Sequence, residues 1–279
     1  LSTYLLWSKT PYAGQKNPPR NPVNPLAGSW PTYYLKRGAD GSFKTPGGRP
    51  IQLAIRHPRT IDWNRQLKMV QHTLKNITSK QIKIAKFWGD GPATKQWTPI
   101  IDRLIDTYGL TPPMAARVLT TTQAAINDTF VVVWYLKYKW DVARPDQMDS
   151  TLSTILCTPR FPSYPSGHST ISGTAAEVLT HFFPPEAKRL DHMAREDALS
   201  RRYAGVHFNV DTNQGLRLGK QIGRIVVNVL KNQRNSADRL IDPTHVSKKH
   251  AVMGPPPYKQ AMPFPFPQKC KSLVTPTKK

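Results

Sequence analysis

Eight residues in three short stretches carry the groups an oxyanion needs. "KYKWDVARP" holds Lys137 and Arg144, followed by Pro145. "YPSGHST" holds Ser166, Gly167 and His168, and "SRRYAGVHFNVD" holds Arg201, His207 and Asp211. Lys137 and Arg144 stand about two helical turns apart, so they fall near one face if the helix continues. Pro145 biases Arg144 out of the helix, which can turn its guanidinium across the helix end. A hydroxyl, a glycine N–H and an imidazole at a helix start suit an anion, because the first turn has unpaired N–H groups and a positive dipole end. Asp211 lies four residues beyond His207. In a helical turn its carboxylate holds one ring nitrogen and leaves the other free as a nucleophile or ligand. Each piece alone has a plainer reading: a solvated lysine, a structural histidine, an aspartate N-cap. Together, three cations, two imidazoles, a hydroxyl and an amide suit a tetrahedral oxyanion and its trigonal-bipyramidal transition state.

The elements that must position these groups read as helices. Trp63, Leu67, Val70 and Leu74 recur at helical spacing. A second short helix is expected over 79–88. Thr98, followed by Pro99, reads as the N-cap of a third that stops at Gly109. One long helix is expected over 112–140. Others should follow Ser166, then span about 185–203 and 211–232. No strand pairs or internal repeats are evident. The fold class is therefore all-α, a helical bundle with extended proline-rich arms. Residues 1–60 form an N-terminal arm with too many prolines for helix. Its aromatics (Trp7, Tyr12, Trp30, Tyr33, Tyr34) point to packing on the core, since disordered linkers are poor in such residues. Residues 61–232 form the helical catalytic domain, and 233–279 a proline-rich basic tail.

Composition bounds the partners. With 40 Lys+Arg against 17 Asp+Glu, the 279-residue chain carries a formal charge of +23. Such a field attracts anions, either steering an anionic substrate or docking the protein on a polyanion, or it serves solubility alone. No apolar run reaches the roughly 18 residues of a transmembrane helix. A soluble protein is expected, secreted if a leader preceded Leu1. Cys157 and Cys270 are free to pair or to stay reduced.

The three stretches, in order, resemble the signature of the superfamily that joins type 2 phosphatidic acid phosphatases, bacterial acid phosphatases and vanadium-dependent haloperoxidases. Upstream, "AAINDTFVVVWYLKYKW", with Asp128 and Trp134, and "KFWGDGPATKQWTPI" look like the haloperoxidase branch. The resemblance covers about residues 85–232 and leaves out the arms. It implies that Lys137, Arg144, Ser166, the Gly167 amide and Arg201 hold phosphate or vanadate. In the haloperoxidase reading, His207 ligates the vanadium of a vanadate cofactor and His168 assists proton transfer. Lys137 polarises bound peroxide, and halide is oxidised. Phe161 would belong to the halide or substrate pocket, as an aromatic does in chloroperoxidase-like members. In the phosphatase reading, His207 attacks phosphorus, Asp211 orients it, and His168 serves as acid and then base on a phosphoester, with no cofactor. The aromatic positions and the lack of a membrane span favour the haloperoxidase. The 19-residue link from Pro145 to Pro165 is nearer to compact phosphatases. A non-enzymatic, anion-binding scaffold is the third reading.

Overall fold

The computed structural model describes residues 4–242, 249–263 and 270–275. Eight α-helices carry it: α1 (Trp63–Lys75), α2 (Ser79–Gly89), α3 (Trp97–Tyr108), α4 (Pro112–Trp140), α5 (Pro145–Met148), α6 (Gly167–Phe182), α7 (Ala187–Tyr203) and α8 (Asn209–Leu230). The all-α expectation holds, and the helix starts follow from local chemistry. Asp62 caps α1 by accepting from the Arg65 N–H, and Thr78 and Gln81 form a capping box on α2. α4 opens on Pro112 and Pro113, where the missing N–H groups cost nothing. Gly109 ends α3 in the left-handed conformation at φ 59°, as its position suggested.

Four details differ from the sequence reading. α3 begins at Trp97, not after Thr98, and Pro99 is tolerated in the first turn, whose N–H groups have no helical acceptor. The long helix ends at Trp140 as expected, but it is Asp141 in the left-handed region (φ 51°) that stops it, and Pro145, the stop the sequence suggested, opens α5. α8 starts at Asn209, so Asp211 sits inside its first turn. A two-stranded antiparallel pair also exists, β1 (Lys36–Arg37) with β2 (Phe43–Lys44), in the register Lys36↔Lys44.

The core is built on α6 and α8, which lie backbone to backbone. Gly215, Gly219 and Gly223 share one face of α8, and a Cβ on Gly215 would stand 2.9 Å from the Ser166 carbonyl oxygen. Gly173 answers from α6, 2.8 Å from the Leu216 carbonyl oxygen by the same measure. This close approach brings the Ser166 turn against the start of α8, where the Ser166 N–H donates to the Asp211 carbonyl at 3.1 Å. Trp88, Trp97, Ile101, Leu104, Ile171, Leu179 and Phe182 fill the largest apolar cluster. Among the described residues, no helix is long and apolar enough to cross a membrane.

The N-terminal segment lies on this bundle. Trp7 and Tyr12 are buried, and the Asp128 carboxylate, in the middle of α4, accepts the N–H groups of Tyr33, Tyr34 and Leu35 at 2.8–2.9 Å. The far end of the chain returns to the same side. Cys157 and Cys270 form a disulfide, and the Leu273 N–H donates to the Ala13 carbonyl at 3.1 Å. Residues 243–248, 264–269 and 276–279 of the C-terminal tail lie outside the described residues.

Candidate active site

The eight signature residues converge around one end of α6. Asp211, in the first turn of α8, reaches back to His207, and its Oδ2 accepts from the ring Nδ1 at 2.8 Å. The same oxygen accepts from the Ser163 hydroxyl at 2.5 Å and from the Phe208 N–H at 3.2 Å. With the proton held on Nδ1, the lone pair of His207 sits on Nε2. There it accepts from Arg144 Nη1 at 3.0 Å. Burial first, then the cations Arg144, Lys137 and Arg201, push the His207 pKa well down, so the ring is neutral at neutral pH. Burial pushes Asp211 the other way, up to about 6.

Arg144 leaves α4 in an extended conformation at ψ 162°, as a residue before proline should. Its guanidinium is fixed from several sides. Nε and Nη2 donate to the Phe161 carbonyl at 3.0 and 2.9 Å, and Nη1 to the Val206 carbonyl at 2.8 Å. Lys137, in the last turn of α4, donates to the carbonyls of Pro162 and Ser163, each at 2.7 Å. Both cations lie over the Phe161 ring, Lys137 at 5.1 Å and Arg144 at 4.8 Å from its centroid. Burial, and then Arg144, hold the Lys137 pKa well below its usual value. So the two cations meet through the 161–163 turn, not along one helix face.

Arg201 and His168 complete the group. Burial lowers the Arg201 pKa to about 10, leaving it charged at neutral pH, and its Nε and Nη1 are buried without a hydrogen-bond partner. The Asp197 carboxylate, one turn earlier on α7, supports its charge. His168 follows Gly167 at the start of α6 and hydrogen-bonds the Trp88 backbone. Its Nε2 is sheltered and has no partner. Burial and then the Arg201 charge keep its pKa well below 6.5. Ser166 is the N-cap of α6; its hydroxyl oxygen accepts from the Ser169 N–H and hydroxyl.

A cleft of about 1200 Å³ opens onto these groups. Phe161, Gly167, His168, Arg201 and His207 line it, while Lys137, Arg144, Ser166 and Asp211 stand buried outside its lining. One wall is aromatic: Phe130 meets Trp134 edge-on at 5.4 Å, and Trp134 meets Phe161 at 5.0 Å. Ser163 and Asp197 belong to the site by contact and stand in none of the three signature stretches. Their spacing held the clue, Ser163 three before Ser166 and Asp197 four before Arg201. Asp128 binds backbone of the N-terminal segment, not the cleft.

The fold is a helical bundle that gathers lysine, arginine and histidine side chains near the start of one helix. This arrangement is similar to that of the PAP2 superfamily, whose family model matches residues 116–235 of the chain. A bacterial vanadium-dependent iodoperoxidase superposes with a TM-score of 0.61 at 25% identity, over 80% of this chain and 60% of that one. The apo form of a bacterial vanadium-dependent chloroperoxidase gives 0.61 at 14% identity over 81% and 60%, a likeness of fold. The chain thus spans about three fifths of each of these two proteins. No curated protein matches the chain significantly.

Proposed function

We propose that this chain is a vanadium-dependent haloperoxidase-like enzyme that oxidises halide with hydrogen peroxide on bound vanadate. The observation that carries this reading is His168, whose buried Nε2 lies unpartnered in the cleft beside Arg201 and His207. A buried imidazole nitrogen at that place can take a proton from hydrogen peroxide. The similarity to an iodoperoxidase at 25% identity supports the same choice.

The donor set fits vanadate. Lys137, Arg144 and Arg201 are buried cations, and the partnerless nitrogens of Arg201 and His168 suit a buried oxyanion. His207 would hold the metal through Nε2, and Lys137, Arg144, Arg201, Ser166 and the Gly167 amide its oxygens. Bound vanadate supplies a Lewis-acidic centre that activates peroxide. Asp211 keeps the proton on Nδ1 and so keeps Nε2 a donor of its lone pair. The Phe130–Trp134–Phe161 wall gives the cleft beside the centre an apolar side.

A phosphatase is the second reading, favoured by a cleft large enough for an organic ester. There His207 Nε2 is the nucleophile and the same cations stabilise the phosphoryl oxygens. Paired assays on the purified protein decide. Vanadate-dependent iodide or bromide oxidation with peroxide is expected, and phosphomonoester hydrolysis after vanadate removal should be weak. Hydrolysis without any halide oxidation would overturn the haloperoxidase assignment.

A further inference from the structure

The cleft is far larger than halide, peroxide and one oxyanion require. Its lining has a second feature the oxyanion site does not use. Besides Arg201, its charged side chains are Lys16, Arg20, Arg160 and Lys271, and among the described residues no aspartate or glutamate lines it. These four are exposed, on the segments that form the rim. The rim is held in place. Val23 joins three segments: its N–H donates to the Arg160 carbonyl at 2.9 Å, and its own carbonyl accepts from Trp134 Nε1 at 3.2 Å and the Tyr138 hydroxyl at 2.8 Å. The Cys157–Cys270 disulfide and the Leu273–Ala13 bond fix the stretch bearing Lys271.

We propose that the cleft binds an organic substrate with an aromatic body and an anionic head, a carboxylate or a sulfonate. The ring stacks on Trp134 and Phe161, and the head is taken by Lys16, Arg20, Arg160 and Lys271. Aromatic faces favour offset or edge contact with a second ring. A wholly basic rim focuses anions into the cleft and rejects cations. As the acceptor for the oxidised halide, such a substrate deepens the proposed activity and to that extent rests on it. The balanced step is hypohalous acid plus the arene giving the aryl halide and water: a C–halogen bond forms, the halogen–oxygen bond breaks, and the ring proton leaves with the hydroxide.

The test compares 4-hydroxybenzenesulfonate with neutral 4-hydroxybenzyl alcohol by calorimetric titration of the full chain, without vanadate or peroxide. The sulfonate should bind at least about tenfold tighter, the combined effect of several exposed ion pairs. That margin should shrink in the variant Lys16→Gln/Arg20→Gln/Arg160→Gln/Lys271→Gln, and in 1 M salt, where the Debye length is about 3 Å. A control variant loses the same charge at exposed Lys75, Lys80, Lys83 and Lys188, outside the cleft, and should keep the margin. Equal affinities, or a margin that falls equally in both variants, would overturn the inference. In the loaded enzyme, the ratio of kcat/KM for the two phenols should follow the binding margin. A protein that binds the sulfonate through the rim but oxidises no halide would refute the proposed activity and leave this site standing.

Discussion

Asp211→Asn separates the role of this carboxylate in the site from its cost to the fold. The side chain keeps its size, and the amide oxygen can still accept from His207, Ser163 and Phe208 in the place of Oδ2. The new NH2 group then replaces Oδ1, a buried atom without a partner, at a cost of about 1–3 kcal/mol. Against this stands the relief of a buried charge. Burial raises the Asp211 pKa from 3.8 to about 6. At about 1.36 kcal/mol per unit, the ionised form costs the wild type roughly 3 kcal/mol above pH 6. A raised carboxylate pKa means stability present at low pH and lost as pH rises through about 6. The two effects nearly cancel at pH 8. At pH 5 only about half of the relief remains, so the variant should compare less well with wild type there. The oxyanion site gains no such relief. His207 loses a charge-assisted bond, and loss of an outer-shell carboxylate typically costs about 10–100-fold in ligand affinity. Urea unfolding at pH 5 and 8, with vanadate affinity by equilibrium dialysis, reads both. Unchanged vanadate affinity in a folded variant would refute the reasoning, as would a stability difference that does not move with pH.

Three further outcomes are expected. His207→Ala should abolish turnover under either chemistry and weaken vanadate binding, measured by steady-state assay and dialysis; retained activity would remove His207 from the mechanism. Gly219→Ala drives a methyl group into the Thr170 backbone, whose carbonyl carbon would lie 2.8 Å away, so overpacking should cost about 1–3 kcal/mol or more in urea unfolding. Replacing Cys157 and Cys270 by serine opens a loop of separation 113 and should lower stability by up to about 4 kcal/mol, a difference that reductant should erase in the wild type.

Much of this arrangement was legible from local pattern. The long helix 112–140, the stop at Gly109 and the His207–Asp211 pair each follow from residues close in sequence. What escaped depends on distance or on weak local signals. Asp141 ends α4 because a short polar side chain tolerates the left-handed region, a milder cue than the proline four residues on. The β1–β2 pair is too short to show alternation. Ser163 meets Asp211 across 48 positions, and only the packing of α6 on α8 makes them neighbours. Cys157 and Cys270 find each other because both ends of the chain come to one rim, which no composition reveals.

That shared rim sets an order of events during synthesis. The groups proposed to hold the oxyanion are all in place once α8 has emerged, at Leu230. The rim is completed only with Cys270, roughly 40 residues later, or a few seconds at about 5–20 residues per second. In that interval the segment around Lys16 lacks the Leu273–Ala13 bond that later holds it. Oxidation of the two thiols then closes the rim, so the cluster around His207 is assembled first and the mouth of the cleft above it last.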